Sequence, residues 1–284
     1  MKARWDLLLL PPMLASLTLL AISQFVFIEG SFHRDLGIGR LAEGFDVSNY
    51  VTAFSDSFYV ETLILSIYVS AIATALTVSL AFPVAYVMAR MRSQWSLVLL
   101  AVLVSVSMVT IVIKVLGLMI IFSPNGLLNS ALISSGLLSK PVKILGTFPG
   151  VVTGLMYYSL GFAVLLFFSV ITTISRSLEE AAMIHGASRP RVFARVVVPL
   201  ALPAIVSGSL MVFNISMGGF ASTALIGVGK IVTLPVIVQR TVILETSYGM
   251  GAALAAILLV SVVLINLLSV AFVARRATGR QLTL

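Results

Sequence analysis

Six long apolar runs decide what this chain can fold into. They lie at about Leu7–Ile28, Thr62–Ala89, Leu97–Phe122, Phe148–Ile174, Val196–Phe220 and Gly251–Ala274. A helix needs about 20 mostly apolar residues to cross a hydrocarbon core roughly 30 Å thick, and each run is long enough. Only 10% of the 284 residues are charged, 60% are hydrophobic, and the mean hydropathy is +1.14. A water-soluble domain of this size cannot cover itself with so little charge. The expected fold class is all-α: a polytopic membrane protein with six transmembrane helices. The second run reaches roughly 40 Å at about 1.5 Å per residue, so it must tilt or protrude.

The first run follows Lys2 and Arg4, as a signal peptide would. Its apolar stretch is longer than a signal core, and Glu29-Gly30-Ser31-Phe32 offers no small-x-small cleavage site. A retained helix is expected. Zero cysteines exclude disulfides and thiolate metal sites.

Charge sets the orientation. With both termini inside, 11 basic residues face the cytoplasm: Lys2, Arg4, Arg90, Arg92, Arg176, Arg189, Arg191, Arg195, Arg275, Arg276 and Arg280. Six face outward: Arg34, Arg40, Lys140, Lys143, Lys230 and Arg240. Glu29, Asp35, Glu43, Asp46, Asp56 and Glu61 fall in the first external loop. The positive-inside rule favours this arrangement in a bacterial inner membrane. The sequence pI near 10.1 reflects that bias, and no nucleic-acid partner follows from it.

Three connections are long enough to matter. The acidic loop Gly30–Glu61 is expected to carry short helices. Ser123–Thr147 opens on Ser123-Pro124-Asn125-Gly126, a turn that ends the third span. Ile231–Leu244 is apolar but interrupted by Pro235, Gln239 and Arg240, and suits an interfacial or re-entrant helix rather than a seventh crossing. The chain divides by sequence into a helix and external loop (1–59), a transmembrane domain (60–274) with a cytoplasmic loop at 175–195, and a cytoplasmic tail (275–284).

That cytoplasmic loop is the most patterned polar stretch. Ser177-Leu178-Glu179-Glu180 reads as a capping box, in which the Ser177 hydroxyl and the Glu180 carboxylate satisfy each other's backbone N–H. Leu178, Ala181, Ala182 and Ile184 or His185 recur at helical spacing and give a small apolar face. Gly186 is placed to end the helix in a left-handed conformation, and Ser188 with Pro190 signals a second start. The loop reads either as a linker helix lying on anionic lipid, held by its arginines, or as a rigid knob that fits a socket on a partner.

Glu180-Ala181-Ala182, three residues, Gly186, nine residues, then Val196-x-Val198-Pro199 resembles the EAA loop of binding-protein-dependent ABC importer permeases. The family pattern ends in Ile-x-Leu-Pro, and valines replace both branched residues here. The six-span layout resembles the type I (MetI-like) permease fold. Softer similarities at Trp5–Pro12, Leu80–Arg92 and Gly249–Leu254 point to the spermidine/putrescine-like branch, whose members carry polyamines, opines, phosphonates, thiamine or ferric iron. The resemblance implies that the Glu179–Gly186 helix couples to an ATPase dimer through Glu180, Ala181, Ala182 and Gly186, with Arg189 nearby. It also implies a second permease subunit, a paralogue or an identical copy, and a periplasmic solute-binding protein. ATP and magnesium then belong to the partner ATPase, and this chain needs no cofactor of its own.

The residues agree that energy comes from elsewhere. Gly227-Val228-Gly229-Lys230-Ile231 lacks the leading glycine and the hydroxyl of a phosphate loop. His33 and His185 lie in loops on opposite sides of the membrane. No carboxylate falls inside a span, where ion-coupled carriers place them, which with the capped loop helix weighs against a secondary carrier; the other alternative is a membrane scaffold whose loop merely binds lipid. Lys114 is the one charge well inside a span. It either snorkels to the interface or lines the path and meets an anionic group on the cargo. Further path candidates are Tyr157, Asn214, Met217 and Phe220, the last three at the end of the fifth span. Gly146, Gly150 and Gly154 form a small-residue stripe for close packing, within the bundle or against a second permease.

Overall fold

A computed structural model describes residues 5–281, with side chains described from 10 to 271. Lys2 and Arg4 lie outside the described residues, as do the side chains of Arg275, Arg276 and Arg280. Helix α1 (Trp5–Gly30) and the short α2 (Ser48–Ser55) lead to α3 (Ser57–Arg90). Then come α4 (Trp95–Met108), α5 (Ile111–Phe122), α6 (Leu127–Ser134) and α7 (Phe148–Thr173). Next are α8 (Arg176–Ile184), α9 (Arg189–Val192), a π-helical turn (Phe193–Val197) and α10 (Val198–Met217). Helices α11 (Phe220–Gly227), α12 (Leu234–Ile243) and α13 (Tyr248–Gln281) complete the order.

Six stretches among the described residues are long and apolar enough to cross a membrane. The third differs from expectation. Leu97–Phe122 is not one rod: Val109 and Thr110 are extended and separate α4 from α5. By length and apolarity alone the third span is Ile111–Ser134, but packing argues otherwise. Leu100 and Leu103 of α4 pack with Phe167 and Ile171 near the end of α7, while Val115 of α5 packs with Val151 and Leu155 near its start. Helices α4 and α5 therefore run the length of α7 as one broken crossing, and α6 packs on α5. The fifth run is also redrawn. It begins with α9 and the π turn, and it ends at Met217 because Gly218 and Gly219 let the chain turn. Phe220 opens a new helix. The last run continues as helical backbone past Ala274 to Gln281.

The chain forms two compact units: residues up to Leu63 with those from Leu234, and Ile64–Thr233. In the first unit α1, α2 and α12 pack on α13. The acidic loop is pinned to the start of α13. The Asp35 carboxylate accepts from the backbone N–H groups of Gly249 and Met250 at 2.9 and 2.8 Å, a cap that also favours the positive helix end. The Asn49 amide donates to the carbonyls of Ser31 and His33.

In the second unit α3 presents small buried residues every three or four positions: Ser66, Ser70, Thr74, Thr77, Ala81, Ala85 and Ala89. Short side chains let helices approach closely where no hydrophobic effect separates protein from lipid. Thr77 and Ser159 of α7 share a hydrogen bond at 3.2 Å across this contact. One core joins α3, α7 and α10 around Phe82, Phe167 and Val212; another joins α3, α5, α7 and α11 around Val69, Leu155 and Ile226. The expected glycine stripe is shorter than its spacing suggested. Gly146 precedes α7 in a left-handed turn (φ +72°), leaving Gly150 and Gly154 on the helix. A Cβ on Gly154 would collide with Ile226 and Ser222 of α11, so this close approach serves the unit's own packing.

Candidate functional site

The polar segment between α7 and α10 is built from helix ends. Ile174 is extended, the chain turns, and Ser175 becomes the N-cap of α8, its hydroxyl accepting from the Ser177 N–H at 3.3 Å. The expected capping box is therefore not formed: α7 stops so close to α8 that the cap falls two residues earlier, and Ser177 lies inside the first turn. Gly186 does end the helix, at φ +84°. The Ala187 N–H donates to the Ala182 carbonyl at 3.1 Å and the Gly186 N–H to that of Met183 at 2.9 Å, the paired closure of a Schellman motif. Ser188 then caps α9, with Pro190 in its first turn.

What anchors α8 is a residue the sequence reading counted only as charge. Arg90, the last residue of α3, donates from Nε to Oε1 of Glu179 at 2.7 Å, and its Nη2 lies 2.6 Å from the same oxygen. Nη2 also donates to the Ile174 carbonyl at the end of α7. Tyr86 donates its hydroxyl to Glu179 Oε2 at 2.8 Å. In return Arg176 of α8 donates to the Ala89 carbonyl of α3 at 3.0 Å. Two arginines thus satisfy orphan carbonyls at the ends of each other's neighbouring helices, where cations are also favoured by the helix dipole. Glu179 is 7% exposed, so it holds α8 from behind. The signal for this network was an arginine closing one span and a Glu-Glu pair just after another.

The outward side of α8 carries the remaining members of the motif. Glu180 and Ala181 are exposed, Ala182 is half-buried, and Gly186 and Arg189 are exposed. Ile184 is 84% exposed, with Leu178 and Met183 close to half exposed. Glu180 approaches Arg92 only at 4.0 Å, both largely in the open, a pair worth little. Beside α8 lies a cleft of about 700 Å³ lined by Tyr86, Arg90, Arg176, Glu179, Met183 and Arg189.

The candidate path residues lie on four helices, α5, α7, α10 and α11. Lys114 sits in the first turn of α5, just past the break, with its Nζ 6.0 Å from the centre of the Tyr158 ring, within cation–π range. Tyr157 and Asn214 are exposed, and Met217 is buried in the unit's interior. Phe220, half-buried, belongs to α11 rather than to the fifth span.

A family model described as "Binding-protein-dependent transport system inner membrane component" matches residues 78–278. The chain belongs to this family. It is therefore the permease subunit of a binding-protein-dependent ABC importer, a multi-pass protein of the inner membrane. The permease is 29% identical over 232 residues to the spermidine/putrescine transport system permease protein PotB of Haemophilus influenzae, covering 82% of this chain and 81% of that one. It is 32% identical over 209 residues to PotB of Escherichia coli, covering 74% and 76%. Among solved structures, a chain of a bacterial ABC transporter involved in the import of alginate superposes with a TM-score of 0.80 at 17% identity, over 96% of both chains. At that identity the likeness speaks for the permease fold.

Proposed function

We propose that this permease passes a small polar solute, handed over by a periplasmic binding protein, across the inner membrane by alternating access. A separate ATPase dimer holds ATP and magnesium and grips α8, while a second, paralogous permease completes the path. Both termini and α8 face the cytoplasm in this reading, which the concentration of arginines around α8 supports. The observation that carries this reading is α8 itself. A short helix, closed at both ends and ion-paired from behind to α3, leaves Leu178, Ala181 and Ile184 exposed. An apolar face exposed outside the bilayer marks a contact surface.

The relatives named for spermidine and putrescine make a polyamine one candidate cargo. Lys114 favours a solute that also bears an anionic group, such as an amino acid, opine or phosphonate. The only carboxylates between Ile64 and Thr233 are Glu179 and Glu180. Both lie past the far end of α7, about 22 Å along the helix from Tyr158, beside which Lys114 sits, so Lys114 has no counter-ion within its unit.

Purification of the permease from membranes that also contain its ATPase tests the coupling. The wild type is expected to retain the ATPase. Gly186→Asp, which puts a Cβ and a negative charge at the left-handed close of α8, is expected to lose it at least tenfold while eluting as a folded protein. ATP-independent counterflow by the permease alone would sink the reading in favour of a secondary carrier.

A further inference from the structure

Two lysines meet at the end of the second unit opposite α8. Lys143 precedes α7 and Lys230 follows α11, and with Phe122, Pro124, Ile144 and Val228 they line a cleft of about 270 Å³. Both side chains are exposed, yet they lie close enough that Lys143 pushes the Lys230 pKa below the ordinary lysine range. Like charges side by side are unfavourable, and nothing in their unit offsets them, since its two carboxylates lie beyond the opposite end of α7.

The backbone holds both lysines in place despite that repulsion. Buried Asn129 donates to the carbonyls of Ser123 and Val142 and accepts from the Val142 N–H at 2.8 Å, pinning the residue before Lys143. Three residues on, Gly146 donates to the Ile226 carbonyl at 2.8 Å, tying this loop to α11. On the other side Val228 is left-handed at φ +46°, followed by Gly229 at +69°, and the Lys230 N–H closes the turn on the Gly227 carbonyl. A β-branched residue in that region is strained, and the Lys230 stem that follows the turn runs beside Gly146, where a side chain would crowd it.

We propose that Lys143 and Lys230 form a two-point receptor for a carboxylate of the periplasmic binding protein. The proposal rests on the orientation given above, which puts this end outside, where the family's binding protein arrives. An arriving carboxylate relieves the repulsion between the two ammonium groups. The pair also steers an acidic surface toward the permease.

The test uses the complete importer in nanodiscs, titrated with its binding protein at low and high salt, with ATPase stimulation as the readout. Lys143→Gln and Lys230→Gln are each expected to raise the half-maximal binding-protein concentration about fivefold and to flatten its salt dependence. The double variant should lose little more than either single one, because both groups serve one carboxylate. Maximal stimulation should stay at the wild-type level, and Lys143→Arg with Lys230→Arg should bind nearly as the wild type. A double Gln variant that titrates like a responsive wild type overturns the proposal alone; a wild type that never responds overturns the importer reading as well. A shift in anionic-lipid dependence with the titration unmoved assigns the pair to another anion and also overturns it. Because the chain has no cysteine, a single Lys143→Cys reports its side directly: labelling by an impermeant maleimide from the cytoplasmic face alone would exclude it.

Discussion

Arg90 meets two demands with one guanidinium: it neutralises Glu179 and satisfies the Ile174 carbonyl at the end of α7. Its side chain is 14% exposed and that of Glu179 9%, so removing one partner leaves a charge with little access to water. Breaking such a pair costs about 3 kcal/mol. Arg90→Ala is expected to lower the thermal midpoint of the permease in detergent by several degrees and to release the ATPase. Glu179→Gln keeps an acceptor for Tyr86 and should cost less, about 1–2 kcal/mol. Equal midpoints for Arg90→Ala and wild type would show that the pair anchors nothing. Of this network the sequence displayed each member but not their meeting, because residues 89 positions apart reveal contact only through a fold.

Helix existence was legible because apolar length and turn chemistry are local properties. Gly186 announced the end of α8 because it adopts the left-handed close without penalty, and Pro190 the start of α9 because its fixed φ suits a first helical turn. Two features stayed hidden. No Gly or Pro stands between Ser105 and Thr110 to mark the break before α5; packing of the two halves along α7 sustains it. The cap of α8 depended on how soon α7 stops, which the Ser-x-x-Glu spacing does not encode. The small-residue rhythm of α3 was visible in the sequence and is the reason that helix sits against several neighbours. Where α7 meets α11, the same closeness makes a sharp expectation. Gly154→Val forces Ile226 and Ser222 aside and should destabilise the permease by about 1–3 kcal/mol, whereas the same change at exposed Gly117 should cost much less. Unfolding of both variants in detergent makes the comparison, and equal losses would refute it.

For the molecule as a transporter, the proposed path residue to test is Lys114, in the first turn after the break between α4 and α5. Lys114→Met should reduce uptake by proteoliposomes carrying the complete importer at least fivefold for a cargo with an anionic group, since a buried charged contact is worth about 1 kcal/mol or more. ATPase stimulation by the binding protein should persist. Unaltered uptake at every cargo concentration would remove Lys114 from the path. The wiring around α8 has a further mechanical consequence. Arg90 and Arg176 strap the helix to α3, the chain itself ties it to α7, and contact with the π turn links it to α10. A tug on this small handle cannot bend one rod while the others stay still. Force applied at α8 is shared among α3, α7 and α10 together, as a pull on a handle is shared by the whole door.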